Sequence, residues 1–230
     1  MGQRHQVYVA LPLDHPLVKK GVKVVGLHHQ WLYGHTAAKQ LARLLTLIKK
    51  AGSGLSHPFV SGFDDPLKIL SAIYESIPEE GYYSRVYPFV GDETACCKDP
   101  LLADNNEGIT VVDLRGLHFT KNCKLVGKVA YAFVSFGHNG LPENTPLSAR
   151  QYVNAYYESL VPVVRERTIR QAFKGDKKTT NEAEKRVREV EALKVSVLTQ
   201  EALTEIFPTL QAPARSSLLL LDLGDDDVAV

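Results

Sequence analysis

Residues 22–48 constrain the fold of this chain more than any other stretch. They begin with β-branched and aliphatic residues, a run that is typical of a buried strand. They end with apolar residues at the spacing of one helical face, which predicts an amphipathic helix. Thr36 precedes that face and has the side chain of a helix N-cap. The apolar positions of the predicted helix are Ala37, Ala38, Leu41, Leu44, Leu45 and Ile48. A strand that leads directly into a helix indicates a domain that combines both kinds of structure.

Strand patterns come first in the chain with one or two helical patterns among them, and only helical patterns follow. The first strand is predicted at residues 3–11, and a short connection with two prolines leads to the second at residues 22–31, which favours a β-hairpin. Further strands are predicted at residues 82–90, 109–114 and 128–136, and helices at residues 65–77, 148–160, 163–173, 179–197 and 199–207. This order predicts an α+β fold, with an antiparallel sheet of about five strands packed by helices. We expect a domain over residues 1–174 and a C-terminal helical extension over residues 175–230, which ends in an acidic tail containing leucines.

The predicted hairpin gathers polar side chains at one end of the sheet. These are Arg4, His5, Gln6, His28, His29, Gln30 and Trp31, with His35 a few residues further along the chain. An imidazole there could act as a base or as a metal ligand. Neighbouring residues of a strand point to opposite faces, however, so the pair His28 and His29 does not converge on one centre. Two interpretations stay open: a buried polar network that sets the strand register, and a pocket with Trp31 as its wall.

A second polar cluster lies in a long predicted loop and consists of Asp92, Glu93, Cys96 and Cys97. A thiol near an imidazole can form a nucleophile pair, and thiolates with imidazoles can hold zinc. The spacing of CxxC and HxxxH motifs is missing, so no metal site is predicted, and a buried cysteine is often a small apolar residue. The glycines form no phosphate-binding loop and no GxSxG turn. The sequence therefore predicts no cofactor and leaves the catalytic residues unknown.

Composition limits the class of protein and its compartment. The formal net charge is +1, which argues against a sequence-independent nucleic-acid binder. No apolar run approaches the roughly 18 residues that cross a membrane, and the start of the chain lacks the pattern of a secretory signal. Two of the three cysteines are adjacent in the chain. They are predicted to be reduced thiols, which indicates a cytoplasmic protein.

Two short motifs carry a resemblance to known proteins. The chain opens with MGQRHQ at residues 1–6 and has HHQWLYG at residues 28–34. In these motifs it resembles a group of uncharacterised fungal proteins, over at most the part up to residue 136. The resemblance implies no activity, cofactor or residue role, and it points to the same two strands.

Three functional hypotheses follow from the sequence. The first is a non-catalytic protein that works by self-assembly or by binding a protein partner, because no specific catalytic motif is present. Its contacts would be the C-terminal helices and the tail leucines Leu218, Leu219, Leu220, Leu221 and Leu223. The second is a hydrolase or transferase that uses the His/Gln/Trp cluster with the loop of Asp92 and Cys97. The third is an RNA- or ribosome-associated protein that uses Lys19, Lys20, Lys23, Arg165, Arg167 and Arg170.

Overall fold

The computed structural model describes residues 4–15, 18–30, 32–52, 86–90, 100, 108–119, 125–136, 143–163 and 177–211. The strands are β1 (Arg4–Ala10), β2 (Val24–Gln30), β3 (Val86–Val90), β4 (Ile109–Asp113), β5 (Leu117–Phe119), β6 (Leu125–Gly127), β7 (Ala130–Val134), β8 (Pro146–Leu147) and β9 (Ser196–Val197). The helices are α1 (Gly34–Gly52), α2 (Ala149–Val163), α3 (Lys177–Ala192) and α4 (Gln200–Ile206), with one 3-10 turn at Val18–Lys20. The α+β class predicted from the sequence is confirmed. The predicted helices at residues 65–77 and 163–173 and the acidic tail lie outside these residues.

The main sheet is mixed, so the prediction of an antiparallel sheet was wrong. Its strand order is β3-β2-β1-β4-β7, and both β8 and β9 pair with β7. Strand β1 runs antiparallel to β2 but parallel to β4, and β9 runs parallel to β7. A parallel pair needs a long crossover connection. The chain between β1 and β4 supplies one, since it contains β2, α1 and β3.

Each face of the sheet packs against its own apolar layer. On one face, residues such as Val7, Val9 and Phe133 form a buried cluster with α1, α2 and α3. On the other face, Tyr8 and Val111 pack with residues of α4 and the segments beside it. The described part of the chain therefore forms three layers: helices, sheet and a short C-terminal helix.

Helix α1 buries the stripe that the sequence predicted, from Ala37 to Ile48. It begins at Gly34, two residues before the predicted N-cap at Thr36. The Thr36 hydroxyl accepts a hydrogen bond from the Tyr33 backbone N–H at 3.0 Å and donates one to the Tyr33 carbonyl oxygen. Thr36 thus stabilises the start of the helix from inside its first turn rather than from the cap position.

Two other helix starts match the sequence pattern. At α2, the Ser148 N–H donates to Gln151 Oε1 at 2.9 Å, and the Gln151 N–H donates to Ser148 Oγ at 3.2 Å, which confirms the predicted capping box. At α4, Thr199 is the N-cap and accepts from the Ala202 N–H. The domain boundary at residue 175 stays a prediction. Beyond it, α3 packs against α1 and β9 joins the edge of the sheet.

A second, two-stranded sheet was not predicted. It pairs β5 with β6 in antiparallel register, next to the start of β7. Gly127 in β6 has a φ of +125°, and a Cβ atom there would stand 2.1 Å from the Gly116 carbonyl oxygen. This hairpin therefore requires glycine at position 127.

Candidate functional site

The strand register brings the polar residues of the predicted hairpin together along the backbone. Arg4 lies opposite Gln30, His5 opposite His29, and Gln6 opposite His28. The predicted hairpin is therefore confirmed. For Arg4, His28 and Gln30 the structure describes the backbone alone, and Trp31 lies outside the described residues.

His5 lies in the interior, on the face of the sheet that packs against the helices. Its exposed fraction is 0%, and its Nε2 atom is 2.7 Å from the Thr110 hydroxyl on the neighbouring strand β4. Which of the two atoms donates the proton depends on the tautomer of the ring. The rings of Phe133 and Tyr152 surround it, with centroids 6.3 and 6.0 Å away. His5 thus links two strands inside an aromatic shell, and its strand neighbour His29 is also buried, with 3% exposed.

Gln6 points to the opposite face of the sheet. Its Oε1 atom accepts a hydrogen bond from the Tyr8 hydroxyl. The Tyr8 ring meets the Phe207 ring edge-on, with centroids 5.1 Å apart. Because consecutive strand residues alternate between faces, the sheet itself separates Gln6 from His5. The two side chains therefore do not form one site.

His35 lies in the first turn of α1 and is half-buried. Burial lowers its pKa, and the charges of Arg186 and Lys39 lower it further, while Glu182 opposes them. Two of these three charged residues belong to α3, so His35 belongs to the contact between α1 and α3. The loop residues Asp92, Glu93, Cys96 and Cys97 lie outside the described residues.

A stack of aromatic rings extends from the sheet to the start of α1. Phe133 and Tyr152 stack with centroids 4.4 Å apart and planes 4° apart. Tyr152 is 6.3 Å from Tyr156, which stacks on Tyr33 at 5.8 Å. The spacing of Tyr152 and Tyr156 along α2 indicates that both face inward, but the rings they meet come from distant segments. These contacts stabilise the fold around His5.

Among the described polar groups on this side of the sheet, His5 contacts Thr110 on the neighbouring strand. No group of three metal-ligating side chains occurs among the described residues. His5 and His29 are both buried too deeply for a substrate to reach them without a rearrangement. The contact between His5 and Thr110 favours the interpretation as a buried polar network.

A basic surface, missed as a unit by sequence reasoning, lies at the opposite end of the sheet. Its members are Lys19, Lys20, Lys23, Lys128 and Lys194, all exposed, and we call it the basic end. Backbone contacts bring its segments together: the Leu11 N–H donates to the Lys23 carbonyl oxygen at 2.9 Å, and Ala130 pairs with both Asp113 and Ser196. The basic end therefore combines the β1–β2 connection, the β6–β7 turn and the segment after α3.

Two acidic side chains near the basic end, Asp113 and Glu205, bind Arg115. Asp113 accepts two hydrogen bonds from the Arg115 guanidinium, at 3.0 and 2.9 Å, and Glu205 accepts a third at 3.0 Å. The hydrogen bond to Asp113 raises the pKa of Arg115. Within the described ranges, the five lysines of the basic end form no ion pair. Their positive charge is therefore directed to solvent.

Exposed apolar side chains lie beside these lysines. Leu13 has 68% of its surface exposed and belongs to the same connection as Lys19 and Lys20. Val126 is also exposed and lies two residues before Lys128. Leu13 and Val126 thus add exposed apolar surface to two of the segments that carry the lysines.

Comparison with protein families, curated proteins and solved structures finds no match to this chain. Among the described helices, none has the length and apolar character needed to cross a membrane.

Proposed function

We propose that this protein is a non-catalytic protein that assembles with further copies of itself, and that the basic end is the contact surface. The observation that carries the proposal is the set of five exposed lysines, which three separate segments bring to one end of the sheet, together with the exposed Leu13 of one of these segments. In the described structure these cations meet no acidic side chain. An acidic and partly apolar surface would pair with these lysines and cover Leu13.

The overall charge of the chain favours a second copy as the source of that surface. The chain has 27 basic and 26 acidic residues, so it is almost neutral. Since one end is basic, acidic groups must outnumber basic ones over the rest of the chain. A molecule with separated charges of both signs attracts a second copy in a head-to-tail arrangement.

A protein partner fits this surface better than RNA does. Phosphate groups would bind the lysines, but they would leave Leu13 and Val126 exposed. Three of the six basic residues in the RNA hypothesis, Arg165, Arg167 and Arg170, lie outside the described residues. The enzyme hypothesis is favoured less, because His5 and His29 are interior.

The test is the molar mass in solution, measured by light scattering over a series of protein and salt concentrations. We expect a mass that rises above that of one chain at low salt and falls as salt is added. The double variant Lys20→Glu with Lys23→Glu should remain a single chain. The control, Lys185→Glu with Arg188→Glu, makes the same change of charge on the exposed side of α3 and should assemble like the original protein.

A wild-type chain that stays monomeric at the highest concentration and lowest salt would refute the proposal. Equal effects of the two double variants on the molar mass would also refute it, because assembly would then depend on net charge and not on the basic end. Thermal unfolding of all variants verifies that each one folds.

A further inference from the structure

We infer that the occupant of the basic end is the acidic leucine tail, residues 216–230. The inference rests on the proposed function only where the tail comes from a second copy. The tail of the same chain could also bind the basic end, and that arrangement does not require self-assembly. The tail contains Leu218, Leu219, Leu220, Leu221 and Leu223, and the acids Asp222, Asp225, Asp226 and Asp227. It therefore carries both kinds of group that complement the basic end.

Among the residues that the structure describes, the glutamates of α3 already form ion pairs. Along α3, Glu184 and Glu191 both pair with Arg150 of α2. Glu182 and Glu189 both pair with Arg186 of the same helix. These carboxylates would have to give up existing partners in order to bind the lysines. The aspartates of the tail form a dense group without a neighbouring basic residue in the sequence, since Arg215 is the last one.

The apolar groups match as well as the charges do. A run of four leucines cannot remain in water without favouring association. Leu13 and Val126 offer exposed apolar surface beside the lysines. A segment in which leucines precede aspartates can cover these side chains while its carboxylates meet the amino groups around them.

The tail starts close enough to reach the basic end of its own chain. The last buried residue, Leu210, belongs to the same apolar cluster as Val24, which directly follows Lys23. From Gln211 to Leu218 the extended chain spans roughly 23 Å. That length is about that of the seven-residue strand β1, so the leucines can reach the end of the sheet.

The experiment is photocrosslinking in the full chain, with p-benzoylphenylalanine in place of Leu219. Crosslinked peptides are identified by mass spectrometry, and gel mobility separates links within one chain from links between two chains. We expect the links to fall on residues 11–23 and 114–129. The pair Lys20→Glu with Lys23→Glu should lower their yield roughly tenfold, and the control pair Lys185→Glu with Arg188→Glu should leave it unchanged.

The outcomes separate the inference from the proposed function. Links between two chains at the basic end support both. Links confined to one chain support the tail as occupant and overturn self-assembly. Links that fall elsewhere, while assembly still depends on Lys20 and Lys23, overturn the inference and leave the proposed function intact. If the links fall elsewhere and the basic end instead binds a short RNA with steep salt dependence, a nucleic acid is the occupant and the inference is wrong.

Discussion

Replacing Thr110 by valine tests whether His5 is a structural residue. The change keeps the shape of a fully buried side chain and removes the hydroxyl that lies 2.7 Å from His5 Nε2. A lost hydrogen bond that leaves a buried polar atom without this partner costs about 2 kcal/mol of unfolding free energy. For a chain of this size that corresponds to a fall of about 4–8 °C in Tm.

The assay is urea and thermal unfolding followed by circular dichroism, with Thr46→Val as the matched control. The Thr46 hydroxyl donates to the Ala42 carbonyl oxygen within α1 and is half-exposed. Its loss should cost about 0.5 kcal/mol or less, because the carbonyl keeps its helical hydrogen bond and water can replace the hydroxyl. A Thr110 variant that is no less stable than this control would refute the structural role.

A double-mutant cycle isolates the interaction energy between His5 and Thr110 from the other contacts of each residue. Combining His5→Leu with Thr110→Val removes both partners, and the loss of stability should be smaller than the sum of the single losses by about 1 kcal/mol. A coupling of zero would mean that the contact between His5 and Thr110 contributes nothing. The structural role of the imidazole would then rest on its contacts with the rings of Phe133 and Tyr152.

Three further predictions concern other parts of the fold. Arg115→Met removes the guanidinium that joins Asp113 to α4 and should lower the unfolding free energy by about 1–2 kcal/mol, measured in urea. Because burial lowers the pKa of His35 below 6.5, the unfolded chain takes up its proton first as the pH falls. Stability from this group is therefore complete above pH 6.5 and is lost below it, and His35→Gln should reduce the change in urea midpoint between pH 7.5 and 5.5. Gly127→Ala places a methyl group against the Gly116 carbonyl and should speed amide exchange in β5 and β6, while α1 stays protected.

Local patterns predicted the parts of this fold that depend on neighbouring residues. The strands β1 and β2 and the buried stripe of α1 follow from periodicity, which needs no knowledge of the partner. The hydrogen bonds at Ser148 and Thr199 follow from side chains that reach only three residues along the chain. Strand direction is different, because β1 and β4 show the same alternation whether they pair parallel or antiparallel. The two-residue strands β8 and β9 are too short to show any alternation at all.

The polar cluster shows that a correctly predicted strand pairing does not by itself place the side chains. The sequence predicted that the two strands pair and bring these residues to one end of the sheet, and in the structure His5 lies opposite His29 and Gln6 opposite His28. Consecutive residues alternate between faces in β1 as they do in β2, so the rule that separates His28 from His29 also holds for His5 and Gln6. The same rule sends those two side chains to opposite faces of the sheet. Thr110, the partner of His5, comes from a strand more than a hundred residues away, and nothing in the local sequence identifies it.

The basic end could not be predicted from the sequence, because its lysines come from distant parts of the chain. Lys128 and Lys194 are far from Lys19 in the chain, so a net charge of +1 gave no sign that they gather on one surface.

If a tail binds the basic end of the next copy, the two surfaces in contact differ, and the contact is heterologous. Such contacts form closed rings where the rotation between copies closes and open filaments where it does not. A dimer that does not grow with concentration would therefore require both tails to cross between the same two chains, which places the basic ends of the two copies within one tail length of each other.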